Sequence, residues 1–315
     1  MADAIVCDDL RRVYPGSGGK EAVALDALNL SVPPGTVFGL LGPNGAGKTT
    51  TVRILSTLLT PTSGNASVLG YDVMKQTAQV RDHIGFILGG DRGLYGRLTG
   101  QENLEYFAAL NHIENRIAQP RIEELLKLVG LFERKDDLVE KYSRGMKQRV
   151  HIARGLLTDP DVVFMDEPTI GLDPIGAQEI RAVIPQLAAQ GKTVLLTTHY
   201  MFEADFLCET IALMNKGNIV AQGSPSDIKN KVSQITVVEL LLRELPKETI
   251  NEFEKIPDIV SVHATQDGLL QRIVLHAKVG TDTRSVVASV LGDKQVESFV
   301  EREPTLEEAY LTILG

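Results

Sequence analysis

Cysteine is scarce: Cys7 and Cys208 are the only two in 315 residues, far apart and with no CxxC or Cys/His spacing. That excludes a disulfide framework and a cysteine-based zinc site as organising devices, and it implies reduced, cytosolic thiols. Long apolar runs are missing as well. None approaches the roughly 18 residues that span a bilayer. The opening "MADAIVCDDLRR" carries acids where a secretory signal needs basic residues and an apolar stretch. Any work at a membrane is therefore expected to be shared with another polypeptide that crosses it. Basic residues are in deficit, 32 Lys and Arg against 41 Asp and Glu for a net charge of −9. Broad binding to nucleic-acid backbones rests on clustered cations, so no nucleic acid is expected as a partner.

Short β-branched runs alternate with amphipathic helical patterns, from "TVFGLLG" at 36–42 to "TVLLTTH" at 193–199. This is the pattern of an α/β fold with a largely parallel sheet covered by helices. From about 95 to 157 the texture differs. "QENLEYFAALN", "PRIEELLKLVG" and "RGMKQRVHIARGLL" read as successive helices without an intervening strand, a helical subdomain inserted in the α/β unit. After the Gly/Ser/Pro-punctuated "QGSPSDIKNK" at 222–231 the order becomes βαββαβ, which predicts a small α+β, ferredoxin-like C-terminal domain over 234–315 behind a larger α/β domain over 1–228. A last amphipathic segment, "PTLEEAYLTIL", is expected to pack back on one of the two domains.

"GPNGAGKTT", comprising Gly42, Pro43, Asn44, Gly45, Ala46, Gly47, Lys48, Thr49 and Thr50, matches GxxxxGK[ST] between a strand-like and a helix-like run. Its glycines let successive backbone N–H groups converge on phosphate oxygens, and the following helix offers its positive end to the same anion. Lys48 is expected to reach the β- and γ-phosphates of ATP, and the Thr49 hydroxyl to hold Mg²⁺. "VVFMDEP" at 162–168 is an apolar run ending in two carboxylates. Such a strand opens at its C-terminal end on the ligand crevice, where Asp166 can bind Mg²⁺ and Glu167 can polarise an attacking water. The structural alternative for the pair is a helix N-cap at a strand exit.

"YSRGMKQR" at 142–149, "GLDP" at 171–174 and "TTHY" at 197–200 complete the set. Together with the Gly-rich loop and the carboxylate pair they resemble the ATP-binding-cassette ATPases, P-loop NTPases in fold, over residues 5 to about 226. The resemblance is greatest to the separate nucleotide-binding subunits of drug and antibiotic exporters. It implies an ATPase at the cytoplasmic face of the cell membrane, coupled to a separate transmembrane permease and dimerising with a second copy or a similar subunit across the nucleotide. By the same resemblance Tyr14 stacks on adenine, and Ser143 and Gly145 close over the γ-phosphate held by the other subunit. Glu167 acts as general base, His199 contacts the γ-phosphate and orients the water, and Asp173 communicates across the dimer. Each has a plainer structural reading: a surface tyrosine, a Ser N-cap, an Asx turn before Pro174.

Two positions depart from the family pattern. After Ile84, Gly85 and Phe86, where the family carries a glutamine that contacts Mg²⁺ and senses the membrane partner, this chain reads "ILGGDRG" with Gly89 or Gly90 in its place and Asp91 or Arg92 as substitutes. In the signature, Arg144 and Met146 replace a Gly and a Gln. The general base and the histidine are nevertheless retained, which predicts an active ATPase with a modified coupling loop, and "DRGLYGRLTGQENL" is expected to help form the permease docking surface. Two other readings stand beside it. One is a nucleotide-gated binding module with little hydrolysis; the other is a soluble ATPase acting on DNA or ribosomes.

Overall fold

The computed structural model describes residues 2–15, 21–90, 93–231, 235–243, 245–292 and 296–314; Asp91 and Arg92 lie outside them. The chain divides into two compact units, Met1–Pro225 and Ser226–Gly315.

In chain order the first unit runs β1 (Ile5–Pro15), β2 (Glu21–Val32), β3 (Val37–Leu41), α1 (Lys48–Leu55), β4 (Ser63–Val68), β5 (Tyr71–Asp72), α2 (Thr77–His83) and β6 (Ile84–Leu88). It continues through α3 (Gly100–Leu110), α4 (Asn115–Leu128), α5 (Arg144–Gly155), β7 (Val162–Asp166), α6 (Pro174–Ala189), β8 (Thr193–Thr198), α7 (Met201–Leu207), β9 (Thr210–Asn215) and β10 (Asn218–Gly223). A six-stranded sheet in the order β10-β9-β3-β8-β7-β6 forms its centre. Its strands pair in parallel except for the antiparallel edge strand β10. Every residue of β3, β7 and β8 is buried, which is why these segments read as largely apolar runs. Phe38 and Phe164 fill the core beside them with no exposed surface. The parallel arrangement brings the C-terminal ends of β3, β6, β7 and β8 to one edge, the place where such sheets bind ligands.

A second sheet, β2-β1-β4-β5, is antiparallel, and its hairpin β1–β2 lies upstream of anything the hydrophobic pattern indicated. The physical reason is visible in its register. β1 and β2 slip between Cys7 and Leu10 and twice more before Val13, and Asp9 and Ala27 take positive φ. Each irregularity shifts the inward-outward alternation, so a period-two reading loses phase.

Between β6 and β7 stand α3, α4 and α5, with no strand of their own among the described residues apart from an isolated bridge between Thr99 and Leu138. A capping box starts α3: the Thr99 hydroxyl accepts from the Glu102 N–H and the Glu102 carboxylate accepts from the Thr99 N–H. Helix α4 begins at Asn115, upstream of the expected start at Pro120, and carries that proline inside it. Ala118, Ile122, Leu125 and Leu126 are its buried residues, and this apolar stripe continues through the proline.

After α8 (Pro225–Lys231) the second unit runs β11 (Ile235–Leu242), α9 (Lys247–Glu254), β12 (Ile259–Asp267), β13 (Leu270–Lys278), α10 (Thr283–Leu291), β14 (Val296–Arg302) and α11 (Leu306–Leu314). The sheet order β12-β13-β11-β14, antiparallel throughout, is the ferredoxin-like arrangement. Val238, Leu240, Ile273 and Leu275 of the sheet pack with Phe253, Val287 and Leu291 of the helices in a core of their own. The segment "PTLEEAYLTIL" becomes α11, tied to this unit by two hydrogen bonds from the Arg302 guanidinium to Glu308, both 2.8 Å. No helix among the described residues is long and apolar enough to cross a membrane.

Candidate active site

The Gly-rich loop links the buried end of β3 to α1. Gly47 has φ +110°, and a Cβ there would lie 2.7 Å from the Ala24 carbonyl oxygen, so only glycine lets the loop pass this close to β2. No side chain caps α1. Its first-turn N–H groups are thus free to face an anion, and the positive end of the helix dipole adds to them. Residues 43–50 with Ala24 and Glu167 line a cavity of about 180 Å³. Lys48 is 5 % exposed. Its Nζ donates to the Gly42 and Pro43 carbonyls at 2.6 and 3.2 Å. Burial pulls its pKa down, opposed by the carboxylates of Glu167 and Asp166.

Beside the loop, β7 ends at Asp166. The Asp166 carboxylate accepts from the Thr49 hydroxyl at 3.1 Å and from the Thr197 hydroxyl at 2.5 Å, both to the same oxygen. The chain then turns through a left-handed conformation at Glu167, φ +49°, a backbone state that non-glycine residues adopt at a cost of order 1–3 kcal/mol and that clusters at functional sites. Thr197 of β8 holds the turn: the Glu167 N–H donates to both its carbonyl and its hydroxyl at 3.1 Å. The result aims the Glu167 side chain at two partners. Its Oε1 is 3.7 Å from Lys48 Nζ, and its Oε2 is 2.9 Å from His199 Nδ1. A carboxylate only accepts, so Nδ1 carries the hydrogen in that bond.

The structure thus gathers Gly42 to Thr50, Asp166, Glu167 and His199 into one cluster. Ser143, Gly145 and Asp173 do not line its cavity. They form a second group. Ser143 caps α5, its hydroxyl accepting from the Met146 N–H at 3.1 Å, and Asp173 caps α6, accepting from the Gly176 N–H at 3.1 Å. The two helix starts touch: a Cβ on Gly145 would lie 3.3 Å from the Gly176 Cα, and Arg144 donates to the Gly171 carbonyl at 2.9 Å. Tyr14, half-buried on β1 with the Arg12 guanidinium 4.7 Å from its ring centre, pairs with Ala22. Tyr14 does not line the cavity.

The glycine stretch takes a defined place. Gly89 continues the β6–β7 pairing, donating its N–H to the Asp166 carbonyl at 2.9 Å. Gln148 of α5, 2 % exposed, brackets it, donating to the Leu88 carbonyl at 3.0 Å and accepting from the Gly90 N–H at 3.2 Å. Sequence reasoning passed over Gln148 and Thr197. The adjacent threonines of "LLTTHY", polar at the end of a buried apolar run, were the one available signal for the latter.

Comparison with known proteins bears on this arrangement directly. Residues 25–170 match the ABC transporter family model. Across its full length the chain is 39 % identical to a daunorubicin resistance ATP-binding protein, DrrA3, of Streptomyces coeruleorubidus, covering 97 % of that protein. The chain belongs to the ABC transporter ATP-binding proteins. Among solved structures, cbiO1 of Clostridium perfringens, part of an ABC transporter complex, aligns with a TM-score of 0.65 at 27 % identity, over 74 % of this chain and 95 % of that one. A dimeric ATP-binding cassette in a post-hydrolysis state with ADP and Pi aligns at 0.60 and 28 % identity, over 70 % and 98 %. This ABC ATPase is accordingly a P-loop NTPase and an ATP-binding transporter component. Its donors fit the nucleotide: converging N–H groups, a buried Lys48, and the hard oxygens of Thr49 and Asp166 side by side.

Proposed function

We propose that this ABC ATPase is the energy-coupling subunit of an exporter, working at the cytoplasmic face of the membrane with a separate transmembrane permease. The kinship with drug-resistance ATP-binding proteins supports export, and the dimeric cassette supports pairing of two copies. In this reading the Gly42–Thr50 loop and Lys48 bind the phosphates of ATP, Tyr14 stacks on the base, and Thr49 and Asp166 hold Mg²⁺, which supplies neutralisation of phosphate charge. Ser143 and Gly145 present the start of α5 to nucleotide bound by the second subunit, with Asp173 at the same seam. That the two groups stand apart in one chain supports a site completed by two chains.

Glu167 is the general base. The observation that carries the reading is its turn: a strained backbone points the carboxylate between Lys48 at 3.7 Å and His199 at 2.9 Å, beside the phosphate cavity. His199, donating through Nδ1, keeps the acceptor oriented and leaves Nε2 for the nucleotide.

The test is Glu167→Gln. Because general-base catalysis contributes about 10²–10⁴ in rate, turnover is expected to fall by that factor while ATP binding and ATP-dependent dimers persist in size-exclusion chromatography. Unchanged turnover removes Glu167 from the mechanism.

A further inference from the structure

Glu203 of α7 is 2 % exposed and carries a carboxylate that the chemistry above does not use. Burying such a group is costly unless its oxygens are satisfied. Its Oε2 accepts from the Thr169 hydroxyl at 3.0 Å and from the Thr198 hydroxyl at 3.1 Å. Its Oε1 lies 3.6 Å from the Arg181 guanidinium of α6, which also stands over the Phe202 ring at 5.1 Å. Thr169 follows Glu167 by two residues, and Thr198 precedes His199 directly.

Each threonine belongs to a turn that contains one of the two site residues. The Thr198 hydroxyl also accepts from the Tyr200 N–H at 3.0 Å, closing a small turn around His199. On the other side the Ile170 N–H donates to the Glu167 carbonyl at 3.2 Å, and the Leu172 N–H to the Thr169 carbonyl at 3.2 Å. One carboxylate oxygen therefore receives a hydroxyl from each of the two turns. The Glu203 N–H bonds the Tyr200 carbonyl at 3.1 Å, so the carboxylate is anchored to the His199 turn through its own backbone as well.

We infer that Glu203 is a positioning residue for hydrolysis: it clamps the turn after Glu167 to the turn around His199 and so sets the Glu167–His199 hydrogen bond. It does not line the phosphate cavity and acts through these two threonines, with Arg181 holding its second oxygen. Displacements of about 1 Å in a reacting group cost on the order of a hundredfold in rate, so the clamp acts on kcat. Lys48 and the Gly-rich loop are positioned by β3 and β2 independently of it, so affinity for ATP is not set by the clamp.

The inference rests on the roles proposed for Glu167 and His199, and the experiment separates the two. In the full chain, kcat and KM for ATP are measured for Thr198→Val, Thr169→Val, Glu203→Gln and Glu203→Leu, with Glu167→Gln alongside and a thermal melt for each. The two Thr→Val variants are expected to lose between about ten- and a hundredfold in kcat with KM within about twofold of wild type. Glu203→Gln, whose amide oxygen can still accept both hydroxyls, is expected to retain more kcat than Glu203→Leu. If Glu167→Gln is inactive and the folded Thr→Val variants turn over at the wild-type rate, the clamp is overturned while the general-base reading stands. If Glu167→Gln turns over normally, that reading fails, and the clamp has nothing to position. Should Glu203→Leu not fold, the valine variants decide alone. Loss that follows melting temperature, with kcat and KM moving together, also overturns it.

Discussion

A glutamine at position 89 has nowhere to begin. A Cβ on Gly89 would sit 2.3 Å from the Glu167 carbonyl oxygen and 2.9 Å from an Ile170 methyl carbon, while Gln148 holds the carbonyl before it and the N–H after it. Gly90 has open space around its Cα but takes φ +122°. The loop is therefore built around glycine. Replacing Gly89 by Gln should not recreate the family loop; it should push the Glu167 turn aside. We expect kcat to fall by between about ten- and a hundredfold with little change in KM for ATP, since Gly89 does not line the phosphate cavity, and steady-state kinetics would show it. Restored or raised turnover would refute this account of the glycine. At the same scale, burial pushes both thiols, Cys7 and Cys208, up to about 12, so neither is a reactive group in the folded chain.

Among elements, the junction leading into α3 depends on one polar side chain. Asn103 has no exposed surface; its Oδ1 accepts from the Tyr95 N–H at 2.8 Å, and its Nδ2 donates to the Tyr95 and Thr99 carbonyls at 3.0 and 2.9 Å. The loop from Tyr95 to Thr99 is thereby fastened to the first turn of the helix it precedes. Asn103→Ala leaves the Tyr95 N–H without its acceptor, while the Tyr95 and Thr99 carbonyls keep the Leu98 and Asn103 N–H groups, and is expected to cost about 1–3 kcal/mol, read as a lower urea midpoint at unchanged slope. Helical periodicity made α3 and α5 legible, and apolar runs made β3, β7 and β8 legible, because a single physical cause, burial, writes each pattern. The β1–β2 hairpin was illegible for a matching reason: its bulges break the alternation that burial would otherwise write.

At the scale of the whole molecule, two units with separate cores imply separable stabilities. The second has a built-in acid sensitivity at Glu308. Burial pushes this carboxyl up, but hydrogen bonds from Arg302 and Thr305, with the His276 ring 3.8 Å away, outweigh burial and hold it well below the usual carboxylate range. A group depressed on folding contributes stability that is present above its unfolded value, near about 4.3, and is lost as pH falls below that value. Calorimetry should show the melting temperature of the Ser226–Gly315 unit dropping as pH falls through about 4. Glu308→Gln should lower that temperature at neutral pH by on the order of 5 °C and flatten its acid dependence. An equally steep dependence in the variant would place the acid sensitivity elsewhere.

Sequence alone determined the α/β class, the phosphate loop, the carboxylate pair, His199 and the βαββαβ order of the second unit. Each of these depends on residue types at short spacing, or on a periodicity that burial imposes on consecutive residues. The tertiary structure decided what lies between distant segments. It placed Thr197 against Asp166 across 31 residues, Gln148 around Gly89, and one Glu203 oxygen between the turns of Glu167 and His199. Such contacts arise where parallel strands end side by side, and nothing in a linear pattern records which strand becomes the neighbour of which.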